Sequence, residues 1–267
     1  FFIMNYKVLL TTSGLGSRLG ELTDYTNKCL VRIGNKPAIS LIIENYPIDT
    51  EFVVTLGYYG EYVRDFLELA YPERNFTFVE VDNYRGPKSS LGYSILQARE
   101  HLQCPFIFNA CDTLFSDKKV IDSALKLDEN FCIGEVREDS TQYVTLLCDN
   151  DKLVEIKQKG EMNYDYAYVG FCGIKDYELF WNLLSETIKQ NPFYNSLHEG
   201  IIINKMLKKV EFRCLKTNCW LDIGNVGELE KTRNFYSSFA EVLEKKQESI
   251  YFFDDFVIKF FSDSKIN

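Results

Sequence analysis

Two glycines and two basic side chains near the start of the chain are the residues best suited to bind a phosphate. Gly14 and Gly16 follow an apolar run at residues 6–10, and Arg18 and then Lys28 come after them. A glycine-rich turn that leaves a buried strand lets backbone N–H groups approach an anion closely. The basic side chains would add positive charge beside the same anion. The pattern therefore predicts a site for a phosphate-bearing ligand.

This turn differs from the two commonest phosphate-binding loops. It lacks the Lys-Ser/Thr ending of a P-loop. It also lacks the third glycine of a dinucleotide fingerprint, because position 19 is Leu and Gly20 comes one residue too late. The alternative is an ordinary tight turn with solvated charges.

Asp112 is a candidate metal ligand because of where it lies in the chain. It follows the buried run at residues 105–110, and ligands of open α/β sheets bind at the carboxyl ends of strands. A carboxylate together with phosphate oxygens suits Mg²⁺. The alternative role for Asp112 is to cap a helix that follows it.

The elements that position these residues alternate in type through the first half of the chain. Apolar runs at residues 6–10, 52–56, 76–81 and 105–110 predict strands, and amphipathic stretches at 38–46, 62–71 and 90–102 predict helices between them. This alternation is typical of an α/β fold with a mostly parallel sheet. The second half predicts strands at 131–136, 143–148, 153–157, 166–174 and 211–215, with a turn at 149–151. Helices are predicted at 177–189, 198–208 and 227–245.

Composition narrows the class of protein. The 267 residues fit one large α/β domain or two small ones. The net charge of −9 argues against nucleic-acid binding, and no apolar stretch is long enough to insert into a membrane. Eight cysteines without C-x-x-C spacing, most of them in apolar runs, predict buried free thiols and a cytoplasmic protein.

Several segments together resemble the sugar-phosphate nucleotidyltransferase family. Residues 12–18 read Thr-Ser-Gly-Leu-Gly-Ser-Arg, residues 32–37 read Arg-Ile-Gly-Asn-Lys-Pro, and residues 220–224 read Trp-Leu-Asp-Ile-Gly. The resemblance covers about residues 4–240. It implies a Rossmann-like GT-A nucleotidyltransferase fold, α/β, with a mixed, mostly parallel central sheet flanked by helices.

The resemblance also implies roles for individual residues. Arg18 would steady the triphosphate of an NTP and help pyrophosphate to leave, and Lys28 would bind the α-phosphate or the acceptor phosphate. Asp112 and Asp222 would hold Mg²⁺. The residues that would wrap the nucleotide phosphates are Thr12, Ser13, Gly14, Leu15, Gly16 and Ser17.

Base and acceptor recognition are implied at three further segments. Ser90 and Gly92 lie in a stretch similar to the family's base-binding loop, where Gly92 would let the base lie against backbone. Lys159 would hold the acceptor phosphate, although Gln158 and Gly160 replace the usual Glu and Pro of that motif. Gly170 would allow close approach of the acceptor, and a bulge glycine is the equal alternative.

The function implied is a Mg²⁺-dependent nucleotidyltransferase. It would join an NTP (CTP, UTP or dTTP) to a sugar 1-phosphate or a small phospho-alcohol such as phosphocholine, with release of pyrophosphate. The product would supply capsule or lipopolysaccharide assembly. One alternative is a GT-A glycosyltransferase that uses a nucleotide sugar, but Asp112-Thr113-Leu114 is not the D-x-D motif of those enzymes. Another is a non-catalytic nucleotide-binding module.

The resemblance implies a nucleotidyltransferase domain at residues 1–245, and the residues after it, 246–267, are predicted to form a β-hairpin tail. In the tail, residues 257–261 read Val-Ile-Lys-Phe-Phe, which resembles an early strand of choline-kinase-like domains. The tail is therefore predicted to start a covalently linked kinase-like domain. A hairpin that simply docks onto the first domain is the alternative.

Overall fold

The structure, a computed structural model, describes residues 6–236 and 248–261. Its strands are β1 (Lys7–Thr11), β2 (Arg32–Ile33), β3 (Lys36–Pro37), β4 (Glu51–Leu56), β5 (Asn75–Glu80), β6 (Phe106–Ala110), β7 (Thr113–Phe115), β8 (Phe131–Glu135), β9 (Thr145–Asp149), β10 (Lys152–Lys157), β11 (Tyr166–Ile174), β12 (Arg213–Thr217), β13 (Trp220–Asp222), β14 (Glu248–Phe252) and β15 (Val257–Phe261). Its α-helices are α1 (Ala38–Ile43), α2 (Gly60–Ala70), α3 (Leu91–Gln97), α4 (Lys119–Ala124), α5 (Tyr177–Gln190), α6 (Glu199–Met206) and α7 (Val226–Tyr236). Short 3-10 helices lie at Ser17–Thr23, Lys28–Leu30 and Arg99–His101.

A nine-stranded mixed sheet carries the site. Its strand order is β5-β4-β1-β6-β11-β8-β12-β10-β9. Strands β5, β4, β1 and β6 run parallel, as the alternation of strands and helices predicts, whereas β11 is antiparallel to both β6 and β8. The predicted fold class, α/β with a mixed and mostly parallel sheet, is confirmed. Every predicted strand lies within two residues of an observed one.

The two faces of the sheet bury separate apolar clusters. Helices α1 and α2 cover one face, where Phe66 is fully buried. Helices α3, α5 and α6 cover the other, where the rings of Phe106 and Trp181 stack at 5.2 Å. Burying a large apolar side chain contributes roughly 1.5–3 kcal/mol. The clusters therefore hold the sheet rigid beneath the loops at the carboxyl ends of β1, β4 and β6.

The predicted C-terminal hairpin is observed as β14 paired with β15. Its inner face packs against the first cluster: Tyr251 is buried, its ring lies 5.2 Å from that of Phe66, and its hydroxyl donates to Leu30 O at 2.6 Å. The hairpin thus docks onto the domain that precedes it. That it also begins a kinase-like domain stays a prediction, as does the division of the chain at residue 245. The predicted helix at 227–245 is observed to Tyr236, and its remainder lies outside the described residues.

The expectation that the cysteines are free thiols is wrong for two of them. Cys148 of β9 and Cys214 of β12 are disulfide-bonded, because these strands lie on either side of β10 in the sheet, although 66 residues separate the two cysteines in sequence. Sequence spacing gave no sign of this contact. The other six cysteines are free.

The helices of residues 6–236 and 248–261 include none with the length and apolarity needed to cross a bilayer.

Candidate functional site

The glycine turn is held by backbone and amide hydrogen bonds at the end of β1. Ser13 O accepts from Tyr58 N at 3.0 Å. The side-chain amide of Asn27, fully buried, donates to Thr12 O at 2.7 Å and to Tyr58 O at 2.6 Å. These bonds join the turn to the loop after β4. The turn is therefore a fixed cradle rather than a loose loop.

Gly16 is required by both its conformation and its surroundings. Its φ is +67°, and a Cβ at this position would lie 2.9 Å from Lys28 Cβ. A left-handed backbone and close contact both favour glycine. Because Gly16 lets Lys28 pack against the turn, the ammonium of Lys28 comes to lie beside the same cavity as the turn.

A cavity of about 380 Å³, called here the nucleotide chamber, lies above the turn. Tyr84 and Asn195 line it although the sequence gave no sign of their roles; Asn195 Oδ1 accepts from Lys88 N at 3.2 Å and so joins two walls. The predicted residues that line this chamber are Ser13, Gly14, Gly16, Ser17, Arg18, Lys28, Ser90 and Asp112.

Three residues predicted to bind the nucleotide do not line the nucleotide chamber. The Thr12 side chain is buried and donates to Thr55 O at 2.7 Å, and Leu15 is exposed to solvent. Gly92 faces Leu197 instead of a base: a Cβ on Gly92 would lie 2.5 Å from Leu197 Cγ, and Gly92 N donates to Leu197 O. The space on the Cβ side of Gly92 is therefore filled by Leu197, and the contact of its backbone with a base stays a prediction. Close packing of α3 explains that glycine.

The two predicted metal-binding carboxylates lie together. Strands β13 and β7 pair with Asp222 opposite Thr113, and Ile223 N donates to Asp112 O at 3.2 Å. Asp222 accepts from Gly224 N at 2.7 Å and from the Tyr143 hydroxyl at 3.2 Å. The pairing of β7 with β13 thus joins residues 110 positions apart in sequence.

The charges around these carboxylates are unevenly shared. Lys28 Nζ lies 2.5 Å from Asp112 Oδ2, and an Arg18 nitrogen lies 3.9 Å from the same oxygen. Burial disfavours the charged form of Asp112, but Lys28 and Arg18 outweigh it and lower the pKa of that carboxyl. Burial and the negative charge of Asp112 raise the pKa of Asp222 to about 6. The charged form of Asp222 is therefore disfavoured first by burial and second by the charge of Asp112.

A second cavity, of about 290 Å³ and called here the acceptor chamber, meets the nucleotide chamber at Arg18 and Asp112. Lys159 lines it from the end of β10, and Asp222 lines it from β13. Desolvation and repulsion by Arg18 lower the pKa of Lys159. Lys159 makes no ion pair with the described residues, which leaves its ammonium available to an anionic ligand.

Gly170 also borders the acceptor chamber, but its space is used by the protein. It lies in a bulge of β11 with φ +76°, and a Cβ there would lie 3.1 Å from both Ala110 Cβ and Thr113 Oγ1. Of the two roles considered from sequence, the bulge glycine is the one that these contacts explain. The absence of a side chain at Gly170 lets β11 pack closely against the residues on either side of Asp112.

Three side chains of the acceptor chamber were not found from sequence. Tyr143 bonds Asp222, and Glu199 and His198 stand at the start of α6. Burial raises the pKa of Glu199 to about 7, and burial with the nearby Lys159 lowers the pKa of His198 to about 4. Their spacing from Lys159 gave no signal. Only the fold brings α6 beside β10.

The donor set fits a divalent cation that brings further ligands with it. The described residues contain no group of three or more His, Cys, Asp or Glu side chains able to hold a metal. Two neighbouring carboxylates remain, those of Asp112 and Asp222. Burial and the charge of Asp112 raise the pKa of Asp222. Mg²⁺ is commonly held by one or two carboxylates with substrate phosphates. Asp112 and Asp222 beside the glycine turn match that pattern.

Comparisons with curated proteins include relatives that align over more than half of this chain. The chain is 24% identical over 230 residues to the bifunctional protein GlmU of Methanocaldococcus jannaschii, which covers 85% of this chain and 53% of the relative. It is 27% identical over 154 residues to choline-phosphate cytidylyltransferase of Streptococcus pneumoniae, which covers 56% of this chain and 62% of the relative. The chain thus spans between half and two thirds of the length of these curated relatives. No protein-family model matches it.

Solved structures share the architecture over most of the chain. A UDP-glucose pyrophosphorylase complexed with UDP-glucose aligns with a TM-score of 0.73 and 18% identity, covering 87% of this chain and 98% of the other. A CTP:phosphocholine cytidylyltransferase from Streptococcus pneumoniae aligns with a TM-score of 0.70 and 19% identity, covering 87% and 99%. The curated relatives agree with the resemblance found at residues 12–18, 32–37 and 220–224, and the solved structures confirm the fold.

Proposed function

On the premise that this chain has the nucleotidyltransferase fold, we propose that it transfers a nucleotidyl group from an NTP to a small phosphorylated acceptor and releases pyrophosphate. One observation carries the proposal: the nucleotide chamber and the acceptor chamber meet at Arg18 and Asp112, with Asp222 beside them. Two phosphorylated molecules that enter from either side would bring an acceptor phosphate and an α-phosphate together there. The names of the relatives, a choline-phosphate cytidylyltransferase among them, support the reaction class.

In this reaction the protein would position the two substrates and neutralise the charge of their phosphates. The backbone N–H groups of the glycine turn and the Arg18 guanidinium would hold the triphosphate, and Lys159 would hold the acceptor phosphate. Holding two reactants in line removes much of the entropic barrier to a bimolecular step. Fixed positive groups stabilise charge that grows on the leaving pyrophosphate. Arg18, 58% exposed in its side chain, is free to move toward it.

Asp112 and Asp222 would hold Mg²⁺ once a nucleotide is bound. Mg²⁺ supplies Lewis-acid neutralisation of phosphate charge when it is present. Lys28 would exchange its contact with Asp112 for one with a phosphate oxygen. The depressed pKa of Asp112 keeps it ionised for this role at neutral pH.

The walls of the two chambers would determine which nucleotide and which acceptor bind, and these walls are polar and aromatic. Ser89, Ser90 and Asn195 border the nucleotide chamber and are suited to hydrogen-bond a pyrimidine, as in CTP, UTP or dTTP. A sugar 1-phosphate or a phospho-alcohol such as phosphocholine fits the acceptor chamber in size. The products would feed capsule or lipopolysaccharide assembly from the cytoplasm, where NTPs are available, and the tail after residue 246 would lead into a kinase-like domain that makes the acceptor.

Release of pyrophosphate tests the proposal directly. The protein is incubated with Mg²⁺, one of CTP, UTP, dTTP, ATP or GTP, and one of glucose 1-phosphate, N-acetylglucosamine 1-phosphate or phosphocholine. We expect pyrophosphate with one nucleotide and acceptor pair and with neither substrate alone. Nucleotide binding without pyrophosphate from any pair would favour the non-catalytic module. Transfer from a nucleotide sugar would favour the glycosyltransferase.

A further inference from the structure

Tyr143 lies between the wall of the acceptor chamber and the carboxylate of Asp222. Its hydroxyl donates to Asp222 Oδ2 at 3.2 Å, and its ring meets that of Trp220 edge to face, with centroids 5.2 Å apart. All three side chains line the acceptor chamber. Tyr143 therefore touches both a candidate metal ligand and a surface that an acceptor would contact.

The hydrogen bond from Tyr143 completes the orientation of Asp222. The other carboxylate oxygen, Oδ1, accepts from Gly224 N at 2.7 Å. Two donors on two different oxygens fix the rotation of the carboxyl plane, whereas one donor leaves it free to turn. Loss of the Tyr143 hydroxyl would leave only the bond from Gly224.

The ring of Tyr143 is itself supported from behind. Trp220 N donates to Glu135 Oε2 at 3.1 Å, and the Arg137 guanidinium lies 5.0 Å from the centroid of the Trp220 ring. Arg137 and Glu135 form an ion pair at 2.9 Å. Trp220 therefore has little freedom to shift. A ligand that contacts this wall would therefore displace the ring of Tyr143 rather than that of Trp220.

We propose that Tyr143 is a positioning residue that orients Asp222 and couples occupation of the acceptor chamber to binding of the metal–nucleotide complex. The proposal rests on the proposed function, since it assigns a supporting residue to the same site. It predicts that acceptor and metal each strengthen the binding of the other, because coupling free energies are reciprocal.

The test replaces Tyr143 by Phe, which keeps the ring and removes the hydroxyl. The wild type and Y143F are compared in steady-state pyrophosphate release and in titration with Mn²⁺ in the presence of a non-hydrolysable NTP analogue. A hydrogen bond to a charged group supports about a tenfold effect. We expect kcat to fall about tenfold and Mn²⁺ to bind several-fold more weakly, with the KM for the NTP within twofold of the wild type. The strengthening of Mn²⁺ binding by acceptor should be reduced.

A matched control comes from Tyr164, which is not among the residues that line the acceptor chamber. The Tyr164 hydroxyl donates to Arg137 O at 2.9 Å and to Glu138 O at 2.8 Å. Tyr164→Phe removes a hydroxyl of the same kind without touching Asp222, so its kcat and Mn²⁺ affinity should stay within twofold of the wild type.

A double variant shows whether Tyr143 acts through Asp222. If it does, Y143F should change Mn²⁺ affinity much less in a D222N background than in the wild type, because coupled residues are not additive. A Y143F protein that matches the wild type, or additive effects in the double variant, would overturn the inference. A wild-type protein that releases no pyrophosphate would overturn the proposed function instead.

Discussion

Lys28 forms an ion pair with the carboxylate oxygen of Asp112 that would otherwise be available to bind a metal ion. Its Nζ lies 2.5 Å from Asp112 Oδ2, and only about a tenth of its side chain is exposed. An ammonium and a divalent cation compete for the same carboxylate oxygen. The ligand-free protein should therefore bind metal weakly, and the triphosphate should draw Lys28 away as it brings the metal in.

Lys28→Met tests this competition. We expect the variant to bind Mn²⁺ without nucleotide several-fold more tightly than the wild type, because Asp112 loses its internal partner. Turnover should still fall at least about a hundredfold, since the phosphate loses a fixed charge. Lys36→Met is the matched control: Lys36 pairs with Glu44 at 2.8 Å and borders neither chamber. Equal Mn²⁺ binding by the wild type and Lys28→Met would contradict the competition.

The two carboxylates give the second prediction at this scale. Asp112→Asn and Asp222→Asn should each lower kcat/KM by about two orders of magnitude or more while thermal unfolding stays cooperative, because each removes a charged ligand and keeps the shape of its side chain. Pyrophosphate release over a range of NTP concentrations, from below to above KM, measures the change. Asp128→Asn, in a surface pair with Lys175, should have no effect. Full activity in either site variant would exclude the assigned metal role.

The residues that could be found from sequence are those whose type and local order carry the chemistry. Arg18 and Asp112 border both chambers. Lys28 lines the nucleotide chamber, and Asp222 lines the acceptor chamber. Tyr143 and Glu199 could not be found, because a tyrosine and a glutamate have many ordinary roles and nothing local marks them. Gly92 and Gly170 show the converse. Their positions matched a motif, but packing against Leu197 and against Ala110 accounts for them.

At the scale of elements, the C-terminal hairpin supports the residues that bind phosphate. The Tyr251 hydroxyl donates to Leu30 O, at the end of the short 3-10 helix that begins with Lys28. The hairpin thus braces the backbone beneath a proposed catalytic side chain, although more than 200 residues separate them. Two apolar runs, at residues 250–253 and 257–261, with the turn Asp254-Asp255 between them predicted the hairpin, but such runs cannot say which surface the hairpin packs on.

Tyr251→Ala measures this support. Removing a fully buried aromatic ring and its hydrogen bond should lower the free energy of unfolding by about 3–5 kcal/mol, as large-to-small changes in cores do. Denaturant unfolding gives the value. Phe261→Ala removes an aromatic ring from the same hairpin, but 67% of that residue is exposed, so the change should be within about 0.5 kcal/mol. Equal, small effects would mean that the hairpin is not part of the stable domain.

The order of the strands also lies beyond sequence patterns. Apolar runs predicted where strands occur, because burial on both sides of a sheet demands them. They could not predict that β11 inserts antiparallel between β6 and β8, which are nearer to each other in sequence. That placement brings Gly170 and Tyr168 beside Asp112 and so forms one wall of the acceptor chamber.

For the molecule as a whole, two neighbouring groups give stability opposite dependences on pH. The folded pKa of Glu199 is about 7, above its ordinary 4.5, so its contribution is complete below pH 4.5 and is lost as the pH rises through 7. The folded pKa of His198 is about 4, below its ordinary 6.5, so its contribution is lost as the pH falls from 6.5 to 4. Between pH 4.5 and 6.5 the two changes oppose each other.

The variant Glu199→Gln should separate the contributions of Glu199 and His198 to the pH dependence of stability. Between pH 6.5 and 8 the ionisation of buried Glu199 should lower the stability of the wild type by on the order of 1 kcal/mol, partly offset as His198 of the unfolded chain loses its remaining protons. The variant should lack this loss, so its stability relative to the wild type should rise with pH. Below pH 6.5 the stability of the variant should fall more steeply, because the opposing Glu199 change is absent. Urea unfolding at pH 5.5, 6.5 and 8 measures both slopes, with Glu61→Gln, an exposed residue of α2, as the control. Parallel curves for the wild type and Glu199→Gln would show that Glu199 does not titrate near neutrality in the folded protein.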